Sequence, residues 1–208
     1  MARPTLAAAE ALGERLLGVA TELFLAQGYG ATSIEAVVQA CQMSKRTFYS
    51  RYADKAALFE AVVRRIVDGL RPPGGQPLVV GNTPREQLTH LATLILHGGL
   101  APQGLALHRL ITGEALRFPD LARIVHDAGG QEEVAHLVAG ILQQAGVPGK
   151  DPLLAFAGGQ FLALVLTGPR QRALGLGEPL TPAQQQEWAR QCVDLFLHGC
   201  LQQRPRLT

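Results

Sequence analysis

Apolar positions recur every three to four residues along most of this chain, and no useful stretch alternates apolar with polar residues as a half-buried strand would. Leu16, Leu17, Ala20, Leu23 and Phe24 form a first stripe, which stops at Gly28. Thr32 and Ser33 then offer hydroxyls to cap a short helix with Ile34, Val37 and Val38 on one face. Ser44 offers a second cap, ahead of a helix built around Phe48 and Tyr52. Asp54 opens a longer helix through Leu58, Phe59, Val62, Val63, Ile66 and Val67, expected to end at the breaker Arg71-Pro72-Pro73-Gly74-Gly75. Beyond it, Thr83-Pro84-Arg85-Glu86 combines a capping hydroxyl, a first-turn proline and a glutamate three residues on. Thr181-Pro182-Ala183-Gln184 repeats the device, and Asp151-Pro152 is a simpler version. The pattern predicts five further helices near 84–98, 103–117, 119–146 (broken near Gly129-Gly130), 152–168 and 182–201. The expected fold is all-α: a helix-turn-helix domain over 1–71, with the motif at 33–52, then a helical domain over 72–208.

Two short helices joined by a tight turn, the second with Lys45, Arg46, Thr47 and Tyr49 at its start, suit placement of one helix in the major groove of DNA. Cations and a hydroxyl there match guanine edges, phosphates and thymine methyls. Basic helix ends occur on many protein surfaces, so the two-helix spacing carries more weight than the charge. Formal charge adds a local signal. The whole chain is only +2, but through Arg71 there are nine Lys or Arg against seven Asp or Glu, while the remainder balances ten against ten. Both lysines of that first segment, Lys45 and Lys55, lie in the proposed DNA-facing part, a footprint of a sequence-specific reader rather than a coat protein.

At 208 residues, 47% hydrophobic and 17% charged, the chain is globular, with room for one or two domains. Cys41, Cys192 and Cys200 show no CxxC or Cys/His spacing, which favours a reducing compartment and no structural metal. The N-terminus lacks the apolar core of a signal peptide. The charge-free run 152–169 would reach ~27 Å as a helix, marginal for a bilayer core of ~30 Å. It also contains Gln160 and lacks close cationic anchors on both sides, so a buried interface helix is the reading and no membrane partner is expected. An enzyme needs a site, and no P-loop, GxSxG or HExxH is present. His90, His97, His108, His126 and His136 read as surface or pocket residues. No catalytic residue, metal or cofactor is expected.

The run 12–70 resembles the N-terminal domain of TetR-type transcriptional regulators. Its matching points are Ala20, Leu23, Phe24, Gly28, Tyr29, Thr32, Ile34, Val37, Ser44, Thr47, Tyr49, Tyr52, Lys55, Leu58 and Phe59. The resemblance implies that Gly28-Tyr29 ends helix 1, that Ser44-x-x-Thr47-x-Tyr49 is the recognition helix, and that Lys55 sits near a DNA phosphate. Lys45, Arg46, Thr47 and Tyr49 are then expected in the groove, with Thr32, Ser33, Ser44 and Lys55 on phosphates and Arg51 as a further phosphate contact. Val38 and Cys41 stand where alanine is common, and Gln42 stands where the turn usually has glycine. A left-handed Gln42 would carry strain that glycine avoids.

The run 107–199 resembles the ligand-binding domain of AefR-like regulators through HRLITGEALRFPDLARI, FAGGQFLALVLTG and VDLFLHG. That likeness implies a homodimer in which the last two helices pair with a second subunit, a small-molecule effector, and movement of helix 4 on effector binding. The residues support pairing independently. The 152–168 helix is apolar nearly all round, Gly158 and Gly159 permit close helix approach, and Trp188, Val193, Leu195, Phe196 and Leu197 add apolar surface. An internal core helix of a monomer would show the same pattern. His108, Ile111, Glu114, Phe118, Phe161 and Leu164 are candidates to line an effector cavity, apolar with a few polar anchors. An ordinary core with a Glu114–Arg117 pair on its rim fits equally well. The resulting expectation is a cytoplasmic, dimeric, ligand-responsive repressor on a palindromic double-stranded operator; the alternative is a helical sensor or scaffold acting through protein partners.

Overall fold

Caps and glycines divide the chain where the pattern predicts. The computed structural model describes residues 6–72, 75–128, 130–147 and 151–201. Its helices are α1 Leu6–Gln27, α2 Ile34–Ala40, α3 Lys45–Tyr49, α4 Lys55–Gly69, α5 Pro84–Leu100, α6 Pro102–Glu114, α7 Asp120–Asp127, α8 Gly130–Gln144, α9 Asp151–Gln171 and α10 Pro182–Leu201. Among the described residues there is no strand. Pro73 and Gly74 of the predicted breaker lie outside the described residues, as do Gly129 and the side chains of Asp151, Pro152 and Cys200. The predicted 119–146 helix is divided into α7 and α8.

The chain forms two compact units, and they differ from a simple cut at Arg71. Among the described residues, one unit takes those up to Asp68 together with Ala106–Ala128; the other takes those from Gly69 to Leu105 and from Gly130 on. The physical reason is visible at the turn after α1, where Glu114, at the end of α6, accepts from Gly30 N–H and Phe118 meets the Tyr29 ring. In the first unit Leu16, Ala20 and Phe24 of α1 are buried with Val37, Val38, Phe48, Leu58, Phe59, Val62, Val63 and Ile66. Phe24 and Tyr29 each meet Phe59 edge-on with ring centroids 5.1 Å apart.

The second unit surrounds one core built from α5, α8, α9 and α10, including Leu88, Leu96, Ile141, Phe161, Val165 and Phe196. A Cβ on Gly158 would lie 2.5 Å from the Ala135 Cα, so this glycine serves close packing of α9 on α8 within the chain. Gly159 has nothing within 4 Å.

α9 does not stop at Pro169, as the sequence suggested, but continues to Gln171. Proline lacks the N–H that would meet the carbonyl four residues back, which is Val165. The indole N–H of Trp188 donates to that carbonyl at 2.9 Å and supplies the missing partner from α10.

Candidate nucleic-acid interface

α2 and α3 are placed by their caps and by the turn between them. Ser33 Oγ accepts from Ala36 N–H at 3.0 Å, and Ser44 Oγ accepts from Thr47 N–H at 3.1 Å. The turn is a two-bond helix stop: Gln42 N–H donates to the Gln39 carbonyl and Met43 N–H to the Val38 carbonyl, each at 3.0 Å. Such a stop requires a left-handed residue, and Gln42 supplies it with φ 51°, the non-glycine departure anticipated from the sequence. The Arg15 guanidinium donates to the Cys41 carbonyl at 2.6 Å, tying the turn to α1.

Phe48 anchors α3, fully buried and edge-on to Tyr49 at 5.2 Å. Opposite this anchor, Ser44, Lys45, Arg46 and Tyr49 are exposed, Tyr49 by 54%, and Thr47 is half-buried. Ser33 and Arg51 are exposed too. Lys45 Nζ donates to Glu35 Oε1, which holds the Glu35 carboxyl below and the Lys45 ammonium above its ordinary range. The expected groove-facing set therefore lies on one short, capped, solvent-facing helix.

Two of the residues expected on phosphates turn inward in this structure. Thr32 is fully buried, and its hydroxyl donates to the Gly28 carbonyl at 2.8 Å and the Leu23 carbonyl at 3.3 Å, so it closes the α1–α2 turn. Lys55 is half-buried; its ammonium donates to the carbonyls of Tyr29 at 2.9 Å and Thr32 at 3.1 Å and lies 4.4 Å from the Tyr29 ring centroid. Burial lowers its pKa, against a smaller raising effect of Glu114. Both side chains set where α2 begins.

Sequence patterning missed a further participant in that turn. Glu114, at the end of α6, accepts the Gly30 N–H on Oε2 at 2.7 Å. Gly28, with φ 90°, leaves room for it: a Cβ there would lie 2.1 Å from Glu114 Oε1. Phe118 meets the Tyr29 ring at 5.2 Å. Glu114 and Phe118, expected to line an effector cavity, contact the turn that precedes α2. The remaining candidates are divided: half-buried His108 and Ile111 belong to the first unit, while fully buried Phe161 and half-buried Leu164 belong to the core of the second.

Residues 16–62 match the family described as bacterial regulatory proteins, tetR family, and residues 86–199 match the AefR-like transcriptional repressor C-terminal domain. This chain belongs to the TetR family. It is a DNA-binding transcriptional regulator. The flavonoid-responsive regulator FrrA is 30% identical, with 94% of this chain and 100% of FrrA covered at a TM-score of 0.74. A TetR-family regulator from Pseudomonas syringae pv. tomato, 21% identical over 89% of this chain and 95% of its own, shares the fold at a TM-score of 0.66. The regulator TcmR of Streptomyces glaucescens is 36% identical over 73 residues, which span 31% of this chain and 31% of TcmR.

TetR-family regulators act on DNA as dimers, and α9 and α10 both present outward apolar residues. Leu153 and Phe156 on α9 are 57% and 63% exposed, and Leu195 on α10 is 66% exposed. Gly159, Gln160, Ala163 and Thr167 continue the α9 face without a charge. The segment Leu153–Leu176 is also long and apolar enough, by length and composition, to cross a membrane. Its opposite side packs Phe161, Val165 and Leu166 into the helical core, and TetR-family regulators are soluble proteins.

Proposed function

We propose that this chain is a cytoplasmic repressor that binds a palindromic operator as a homodimer and leaves it when a small molecule binds. One observation carries the reading: Lys45, Arg46 and Tyr49 project to solvent from a short helix that Phe48, the Ser44 cap and the Gln42 turn hold in place. A rigid, outward, cationic helix is what base reading in the major groove requires. The intact turn at Gln42 also favours DNA reading over a scaffold role. Arg46 is assigned to a base edge, with Lys45, Ser33, Ser44 and Arg51 positioned for phosphates or neighbouring bases.

The exposed, charge-free α9 face with Leu195 of α10 is assigned to the dimer contact. Two subunits then hold two copies of α3 about one helical turn of DNA apart. FrrA is by its name responsive to flavonoids, which supports an aromatic or amphipathic effector here. Phe161 and Leu164 remain effector candidates. Such a ligand releases DNA only by preferring the DNA-incompetent state; a hundredfold release needs about 2.7 kcal/mol of preference.

The reading is tested by measuring Arg46→Ala against the wild type on a palindrome and on single-base variants of it. A loss of ~1–3 kcal/mol of discrimination at one position per half-site is expected. Unchanged base preference would remove Arg46 from the groove. Titration of a flavonoid panel into the complex tests the effector class, and retention of DNA across the whole panel would reject it.

A further inference from the structure

Under the proposed function Glu35, paired with Lys45 of α3, lies beside the DNA, where an acid is unfavourable unless something uses it. It is the acidic residue of the first turn of α2, its side chain is 63% exposed, and its partner is Lys45, the first residue of α3, itself 56% exposed. A solvent-exposed pair of this kind is weak in water, so it opens readily for a better partner.

On an arbitrary duplex the exchange is unfavourable. Lys45 could turn to a phosphate, but the Glu35 carboxylate would then be left unpartnered in the negative potential of the groove. The pair therefore stays closed, and Lys45 contributes no net charge to nonspecific binding. On a duplex that presents an exocyclic amino group to Glu35, cytosine N4 or adenine N6, the carboxylate gains a neutral donor and Lys45 is released to a phosphate. We propose that the Glu35–Lys45 pair is a specificity lock, in which Glu35 suppresses nonspecific binding by holding Lys45 and reads one amino-bearing base in each half-site.

This proposal rests on the DNA-reading function above. The test uses purified full-length protein, with binding followed by fluorescence anisotropy on a wild-type-selected duplex and on a scrambled duplex of equal length. The proteins are the wild type, Glu35→Gln, Lys45→Met and the double variant, each checked for an unchanged unfolding midpoint. Glu35→Gln is expected to bind scrambled DNA about tenfold more tightly at about 50 mM salt, with a salt dependence steeper by about 0.9 in log–log slope, the signature of one more phosphate contact. In the Lys45→Met background the same substitution should leave the slope unchanged, because no cation is freed. A selection repeated with Glu35→Gln should lose the preference for cytosine or adenine at one position of each half-site. Equal slopes for wild type and Glu35→Gln, an equal increment with and without Lys45, or an unaltered selected motif would each overturn the lock. Failure of the wild type to bind any duplex would overturn the DNA-reading function itself, and the lock with it.

Discussion

The indole of Trp188 donates at 2.9 Å to the carbonyl of Val165, the one backbone acceptor that Pro169 leaves without its helical donor. This contact fills the gap that Pro169 leaves in α9 and adds a hydrogen bond to the packing of α10 on it. Trp188→Phe should remove the bond while keeping most of the packing, at about 1–2 kcal/mol. In a Pro169→Ala background the helix regains its own N–H, so the same substitution should cost clearly less. Chemical denaturation of the four proteins measures the coupling, and additive losses would show that the indole bond does not serve the proline gap.

Glu114 and Gly30 make the corresponding contact in the first unit. Glu114→Ala leaves the Gly30 N–H without its acceptor and should destabilise the protein by about 1–3 kcal/mol. Gly28→Ala meets both a left-handed backbone and the Glu114 carboxylate, so it should cost more than Glu114→Ala. Combining them should cost less than the sum, because the clash is gone and only the backbone strain persists. Strict additivity in denaturation midpoints would contradict this arrangement.

Gln42→Gly should stabilise the protein by about 1 kcal/mol, since φ 51° costs a side chain what it does not cost glycine. A destabilised variant in thermal unfolding would mean that the Gln42 side chain contributes more than its backbone strain costs.

Burial pushes the Cys41 thiol up from its ordinary 9.0, with a smaller opposing effect of Arg15. A folded pKa above the unfolded one contributes stability that is complete below the unfolded value and is lost as pH rises through the folded value. Cys41 should therefore resist thiol reagents in the native state at neutral pH, and its contribution should decline above about pH 9. Native labelling of Cys41 as fast as that of an unfolded control, followed by peptide mapping, would contradict the burial.

Phe156→Asp and Leu195→Glu place charges on the exposed apolar faces of α9 and α10. Both should yield a folded monomer in sedimentation equilibrium, with operator affinity reduced at least tenfold by loss of the second half-site. A dimer persisting in both variants would move the interface elsewhere.

Local chemistry was the legible part of this chain. The reciprocal Thr83–Glu86 capping box, the Asp54 and Thr181 caps and the left-handed turn at Gln42 were each visible because their partners lie within a few residues. The short helix α3 and its Ser44 cap followed from the same local signals. Contacts across the chain were not legible. Glu114 finds Gly30 across 84 residues, and no periodicity announces a pairing at that distance. The same limit hid the inward turn of Thr32 and Lys55, whose polar groups suit a carbonyl as well as a phosphate. The close approach at Gly158 was anticipated, but its partner within the chain, α8, could come only from tertiary packing.

Selection of bound duplexes from a random-sequence pool, with the wild type beside a Lys45→Ala/Arg46→Ala variant, tests the central claim most directly. The expected result is one palindromic motif recovered by the wild type and lost by the variant. No enrichment by ligand-stripped wild type at low salt, where phosphate contacts are strongest, or an identical motif from the variant, would contradict a dimeric repressor that reads DNA through α3.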